Sequence, residues 1–443
     1  MKLGFPPRDA GGGVASLWTR LLVERASWTL IDQGVVSLGG FILNVQLARY
    51  LTSADYGTFA LFMGAVFIFR AVDFSFISYP VSVRLCTLPR QEHAALLGNT
   101  AAIAGALAVV LSVLMAAGTV LVGRGDIAYA TTACFLSWQA QETTRRFLSA
   151  DFRHRAAAWG DATSFLGQAA VIAVLASVEL LTLQSALYAI SAMFLAGAAV
   201  HMSKLQFAAP DIAAIMPLFR KYFELGRWSL LTYEVVLLRT QLFPWTLAMF
   251  AGTAATASWQ AALNIANLMN PVILGIGTVI PQAAAQARLS GGITGAWRAA
   301  RGYVLFGSPP IFIFCAFVLL APQFSLRFIY GADSQYLDMS LCVQLLVVAS
   351  ASEYIGEMIA KTLLGAELGG LAFLTNATGV VGAVMALPLI IPFGVLGACV
   401  ALVIANLIRL VCAWLILAWL LDRDTSPIAK RGSAGAAVGE ETT

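Results

Sequence analysis

The stretch that decides the fold is Trp28–Ala48, WTLIDQGVVSLGGFILNVQLA, read against Trp228–Ala248, WSLLTYEVVLLRTQLFPWTLA, 200 residues later. Aligned without a gap, the two coincide at Trp28/Trp228, Leu30/Leu230, Val35/Val235, Val36/Val236, Leu38/Leu238, Leu47/Leu247 and Ala48/Ala248. Apolar alphabets are small, so a second correspondence matters. Glu142, Arg146 and Leu148 match Glu357, Lys361 and Leu363 at an offset of 215. A membrane protein built from two such halves places its working cavity where they meet. The repeat therefore points to a transporter-like architecture before any motif is read.

Composition agrees. Hydrophobic residues make up 59% of the 443 and charged residues 11%, where a soluble chain carries about a quarter charged. The apolar residues fall into separate runs of about 20, each long enough to cross a bilayer. The reading is all-α and polytopic, with twelve spans at about 28–50, 57–79, 98–122, 127–149, 158–178, 182–201, 228–250, 256–283, 302–321, 338–363, 368–391 and 395–421. They form two pseudo-symmetric six-helix bundles, 28–201 and 228–421. Residues 1–27 are expected to be a cytoplasmic segment and 202–227 a cytoplasmic amphipathic linker. In the linker, Ile212, Ile215, Met216, Phe219 and Phe223 recur at helical spacing opposite Arg220, Lys221 and Glu224. A shorter copy, with Trp18, Leu21, Leu22 and Arg25, precedes the first span. The Gly/Ala/Ser-rich tail, 422–443, reads as a disordered cytoplasmic segment.

Basic residues alternate between loops. The N-terminal segment carries Lys2, Arg8, Arg20 and Arg25, and the even-numbered loops carry Arg84 and Arg90, then Arg153 and Arg155, then Lys204, Arg220, Lys221 and Arg227, then Arg288, Arg298 and Arg301. Arg145 and Arg146 at the end of the fourth span read as part of the second group. Odd loops hold few, Arg124 and Arg327 being the clear cases. The positive-inside rule then puts both termini in the cytoplasm. The net charge of +4 sits in these short loops and gives no reason to expect nucleic acid. The six cysteines form no CxxC and no Cys/His cluster, so neither a metal site nor a redox site is expected.

Charge inside a span needs an account, because one at mid-bilayer costs about 2.5–3.5 kcal/mol on insertion scales. The first span carries Asp32 and a stripe of Gln33, Ser37, Gly40 and Asn44; the second carries Arg70 and Asp73. The seventh carries Glu234 and Arg239, and the eighth the stripe Gln260, Asn264, Asn267 and Asn270. The tenth carries Ser350, Glu353, Glu357 and Lys361 on one face, and the twelfth Asn406 and Arg409. Glu142/Arg146 and Glu357/Lys361 are spaced four apart, acid first, as stabilising helix pairs are. Their recurrence suggests a clamp or inner gate. Glu353 and Glu234 have no such local partner, which makes them candidates for a protonatable or ion-binding carboxylate, as do Asp32 and Asp73 for coupling or gating. Arginine keeps its charge when buried, so Arg70, Arg239 and Arg409 require water, a carboxylate or an anionic ligand. Pro244, Pro271, Pro281, Pro309 and Pro310 fall in spans, where each can kink its helix; Pro80 is expected to end the second.

The segment Leu47-Ala-Arg-Tyr-Leu-Thr-Ser-Ala-Asp-Tyr-Gly-Thr-Phe-Ala-Leu61 resembles the turn between the first two spans of polysaccharide flippases in the multidrug/oligosaccharidyl-lipid/polysaccharide exporter superfamily. Phe219–Gly226 and Arg145–Ala150 look like that family's basic stretches before span 7 and at the end of span 4. The lead-in to span 7 departs from it, with Gly226-Arg227-Trp228 where many relatives place a proline. The resemblance implies a bacterial inner-membrane flippase of polyprenyl-diphosphate-linked oligosaccharide, serving O-antigen, capsule or exopolysaccharide assembly by alternating access. It implies Arg70, Arg239 and Arg409 as donors to the diphosphate and Gln33, Asn44, Gln260, Asn264 and Asn267 as contacts for sugar hydroxyls. Its partners would be membrane lipids, a polysaccharide polymerase and chain-length machinery. No cofactor is expected; proton or sodium coupling is one means of drive. The alternatives are a cation-coupled multidrug exporter of the same superfamily and a membrane glycosyltransferase or polymerase. Short odd loops argue against the enzyme, and no GxxxxGK[ST] loop is present for direct ATP drive.

The loop charges make a direct prediction: alkaline phosphatase fused after Arg124 will be active and fused after Lys204 inactive. The reverse pattern would invert the topology.

Overall fold

The computed structural model describes residues 12–85 and 88–425, and the side chains of these except at 12–26, 30, 228, 231–236, 238 and 425. The helical copy expected around Trp18 and the carboxylate of Glu234 thus lie outside the described side chains, as does most of the C-terminal tail. No strand occurs among the described residues. Helices follow one another as Gly12–Tyr50, Ser53–Leu85, His93–Leu121, Ala128–Ala150, His154–Ser177 and Leu183–Met202. After an extended stretch come Ile212–Ala251, Thr253–Leu320, Ser340–Gly365 and Gly369–Asp424. Eight of these are long and apolar enough to cross a membrane. Thr253–Leu320 and Gly369–Asp424 run to 68 and 56 residues, about 100 and 85 Å at 1.5 Å per residue, far beyond a hydrocarbon core of about 30 Å. Each is two helices in series. The breaks are Gly291–Gly292, where Gly292 has φ +59°, and Gly394, with φ +53°. Left-handed backbone of this kind suits glycine alone. With the polar fourth helix, Ala128–Ala150, and the seventh, Ile212–Ala251, the long helices among the described residues match the expected twelve, with a further short helix, Pro322–Tyr330, between the ninth and tenth. The sharp breaks fall at glycines, while Pro281, Pro309 and Pro310 sit inside continuous helix.

Three boundaries differ from expectation. The linker helix and the seventh span are one 40-residue helix. At about 60 Å it is twice the core thickness, so its first turns project beyond the span without a break. Leu218 and Tyr222 fasten those turns: both are buried, and the Tyr222 hydroxyl lies 2.8 Å from Thr100 Oγ1. The second helix does not end at Pro80. A π-helical turn, Phe74–Ser78, precedes it, with Tyr79 N–H bonding to Phe74 O, and absorbs the proline before the helix runs on to Leu85. At the C-terminal end, Asp422–Thr425 continue the last helix. There Asp424 accepts from Thr294 N and Oγ1 at 2.9 and 2.8 Å, capping the ninth helix, 293–320.

The chain forms two compact units. The first runs through Leu51 and over Ala65–Tyr233; the second comprises Thr52–Gly64 and the chain from Glu234 onward. In the first unit the fourth helix packs on the third and sixth, and the first on the fifth. In the second, the tenth packs on the ninth and twelfth. The second helix therefore begins in one unit and ends in the other. The quoted Leu47–Leu61 motif explains this. Thr52 caps the helix, its Oγ1 accepting from Asp55 N at 3.2 Å and donating to Asp55 Oδ2 at 3.0 Å. Tyr56 is fully buried and accepts a hydrogen bond from Asn264 Nδ2 at 2.8 Å. Gly57 lies flat against the eighth helix, 253–290; a Cβ there would come within 1.8 Å of Thr253 O.

Gly57→Val should therefore destabilise the protein by more than about 2 kcal/mol, the upper range for overpacking, read as a fall in the detergent-solubilised Tm. An unchanged Tm would show that the contact yields.

Candidate functional site

In the first unit the charges gather around the fourth helix. Arg145 Nη2 donates to Asp32 Oδ2 of the first helix at 2.9 Å, Nη1 lies 3.5 Å from Glu142 Oε2, and Nε pairs with Asp161 of the fifth helix. Glu142 also holds Arg146, at 2.7 Å, and Arg70 of the second helix, at 3.5 Å. Arg146 lies over the Phe74 ring, 5.7 Å from its centroid. Two glutamines two residues apart reach opposite ways: Gln139 donates to Asp73 and Gln141 to Asp161, the latter at 2.5 Å. His201 lies behind Asp161 and is fully buried, with Nε2 3.0 Å from Ala157 O and Nδ1 3.3 Å from Thr144 Oγ1.

Both buried aspartates stand immediately before a π-helical turn, Asp73 before Phe74–Ser78 and Asp161 before Ala162–Leu166. The turn does local work at Asp73. Ser78 Oγ donates to Asp73 Oδ2 at 3.2 Å from five residues on. In an α-helix that spacing ends about 140° past a full turn, out of reach; the wider π turn brings it back. Asp73 is buried and has no ion-pair partner among the described residues, being held by neutral donors alone.

The second unit answers the same problem with different helices. Arg239 of the seventh donates to Glu353 Oε1 of the tenth at 2.5 Å and to Asn406 Oδ1 of the twelfth at 2.7 Å. Asn406 in turn donates to Ala349 O at 3.0 Å. Arg409 pairs with Glu357 and lies 4.0 Å from Glu353; Lys361 lies 3.5 Å from Glu357. Glu353, lacking a partner on its own helix, has two from other helices. The guanidiniums of Arg239 and Arg409 are buried, and carboxylates occupy the place that the resemblance gives to a diphosphate.

The amides divide. Gln33 bonds weakly to Ser37, at 3.4 Å, and Asn44 to Gly40 O, at 2.9 Å, within the first helix. Gln260 donates to Asn264 at 2.9 Å, and Asn264 is locked between Tyr56 and Tyr330. Asn264 is thus a buried fastening for Thr52–Gly64. Asn267 starts a 3-10 turn, Asn267–Met269, that interrupts the eighth helix. Sequence reasoning missed Arg145, Asp161, Gln139, Gln141 and His201. Arg145 read as a loop charge, yet it is the most highly connected cation of the first unit; its i,i+3 spacing from Glu142 was the available signal.

No family model and no curated protein sequence matches the chain. Solved structures do. An inward-facing MATE-family multidrug resistance transporter of the MOP superfamily superposes with TM-score 0.70 at 15% identity, over 90% of this chain and 94% of that one. A MOP superfamily transporter from Pyrococcus furiosus, described as having a binding pocket of reverse polarity, gives 0.63 at 13% identity, over 91% and 95%. The lipid II flippase MurJ, inward closed, gives 0.63 at 14% identity, over 87% and 86%. The chain is a multi-pass membrane protein with the MOP-superfamily fold, the fold expected from the Leu47–Leu61 segment.

Removing one member of a buried ionic network costs about 3–5 kcal/mol, because it strands the others. Arg145→Ala should lower the Tm more than the double variant Arg145→Met/Asp161→Leu does. Equal losses would mean that the network is not coupled.

Proposed function

We propose that this protein flips a polyprenyl-diphosphate-linked oligosaccharide across the bacterial inner membrane for polysaccharide assembly, by alternating access, with both termini cytoplasmic. Its fold alone does not choose between cargoes, since the similar structures include a multidrug transporter and a lipid flippase. The observation that carries the reading is which charges of the first unit are accessible. Asp32, Asp73, Glu142 and Asp161 are buried, whereas the side chains of Arg70 and Arg146 are 40% and 27% exposed. An arriving group meets guanidinium there, which favours an anionic head such as a diphosphate. Among the described residues Arg70 is held to Glu142 by a 3.5 Å contact, so a diphosphate oxygen has little to displace. Arg239 and Arg409 then act as buried supports for Glu353 and Glu357. Asp73, buried with no ion-pair partner among the described residues, is the carboxylate best suited to carry a proton through the cycle. The chain acts as a transporter rather than an enzyme.

One observation favours a second reading. In the second unit the accessible side chains include Glu353 and Glu357, at 37% and 30%, which suits a cationic cargo and a multidrug exporter.

A deletion strain separates the two. Arg70→Ala/Arg146→Ala should accumulate lipid-linked repeat units and cut surface polysaccharide roughly tenfold, a loss of about 1.4 kcal/mol of head-group binding, with protein level unchanged. Wild-type export from that variant overturns the assignment of the diphosphate to these arginines. Normal lipid-linked pools in the deletion strain, with new sensitivity to cationic compounds, would establish the second reading.

A further inference from the structure

The first unit has a groove on its side that neither charge cluster uses. It is about 410 Å3 and is lined by Phe41, Ile42, Val45, Gln46, Arg49 and Tyr50 of the first helix, facing Ala173, Ala176 and Ser177 of the fifth. Its shape follows from two sequence features. The helices meet at Gly39, where a Cβ would lie 2.7 Å from Phe165 Cβ. The groove lies beyond that contact, along about 16 Å of the first helix, eleven residues at 1.5 Å each. There the fifth helix presents only alanine and serine, which leaves the space between the two helices unfilled.

The lining is graded. Phe41, Ile42 and Val45 make the narrow end apolar. Arg49 and Tyr50 stand at the open end, both exposed, with Ser177 across from them. Gln46 lies between the two ends. Such a gradient, apolar inside and cationic at the rim on an apolar helix pair, is complementary to an anionic amphiphile. The volume limits which one. At about 30 Å3 for a water-sized group, the groove holds roughly thirteen, a single chain and not two.

We infer that the groove between the first and fifth helices binds one acyl chain of a phospholipid of net negative charge, phosphatidylglycerol, whose anionic head group meets Arg49. The site is independent of the transport reading. The lipid fills the wedge and splints the two helices that carry Asp32 and Asp161.

Native mass spectrometry of the purified full chain, incubated with phosphatidylglycerol or phosphatidylcholine, tests this. The wild type should retain one phosphatidylglycerol in preference to phosphatidylcholine by roughly tenfold. Arg49→Gln should erase the preference, and Ala176→Phe should remove the adduct while the protein stays monodisperse. Ala173→Leu is the milder variant should Ala176→Phe not fold. No preference in the wild type, or an adduct that survives both groove-filling variants, would overturn the site. Displacement of the adduct by added polyprenyl phosphate but not by phosphatidylcholine would overturn the phospholipid assignment in favour of a carrier lipid.

Discussion

An arginine in a span cannot discard its charge, and the organisation of the first unit follows from satisfying one of them. Arg145 is held by carboxylates from the first, fourth and fifth helices. Each of those acids is buried, and without the guanidinium each would be a stranded charge in a medium that solvates it poorly. The pairing therefore fixes which faces of three helices meet. Polar neighbours are recruited in turn: Gln141 and His201 around Asp161, Gln139 and Ser78 around Asp73. Two π turns adjust the register so that these contacts close.

The second unit solves the same problem with the signs exchanged. The first helix contributes an acid, Asp32, where its repeat partner, the seventh, contributes a base, Arg239. In the first unit carboxylates and Arg145 lie deep while Arg70 and Arg146 are the more exposed; in the second Arg239 and Arg409 lie deep while Glu353 and Glu357 are the more exposed. The two halves, similar in sequence over Trp28–Ala48 and Trp228–Ala248, thus differ in how their charges are buried.

Much of this was legible in the sequence, for physical reasons. Span length is set by the bilayer, so twelve helices could be counted from apolar runs. The Glu142/Arg146 and Glu357/Lys361 pairs form as their i,i+4 spacing requires. What escaped depends on distance along the chain. Glu353 finds Arg239 across 114 residues and Arg145 finds Asp32 across 113, and no local pattern reports such pairs. Arg145 was also hidden by its place near a helix end, where a basic residue is ordinarily a topology signal. Prolines drew attention as kink sites, but helices broke at Gly291–Gly292 and Gly394, where φ rather than a missing N–H decides. A π turn leaves no mark in composition at all, so the continuation past Pro80 was unreadable.

The division of the second helix bears on the gene as much as on the protein. Thr52–Gly64 supply Tyr56 and Gly57 to the second unit, although they are translated long before the rest of it. A polypeptide starting in the 203–211 connection would carry the later repeat yet lack a piece of its own core, leaving Asn264 and Tyr330 without Tyr56. The present halves are therefore not interchangeable modules. The division of the second helix, and of the seventh at Tyr233, ties the two coding regions into a single reading frame.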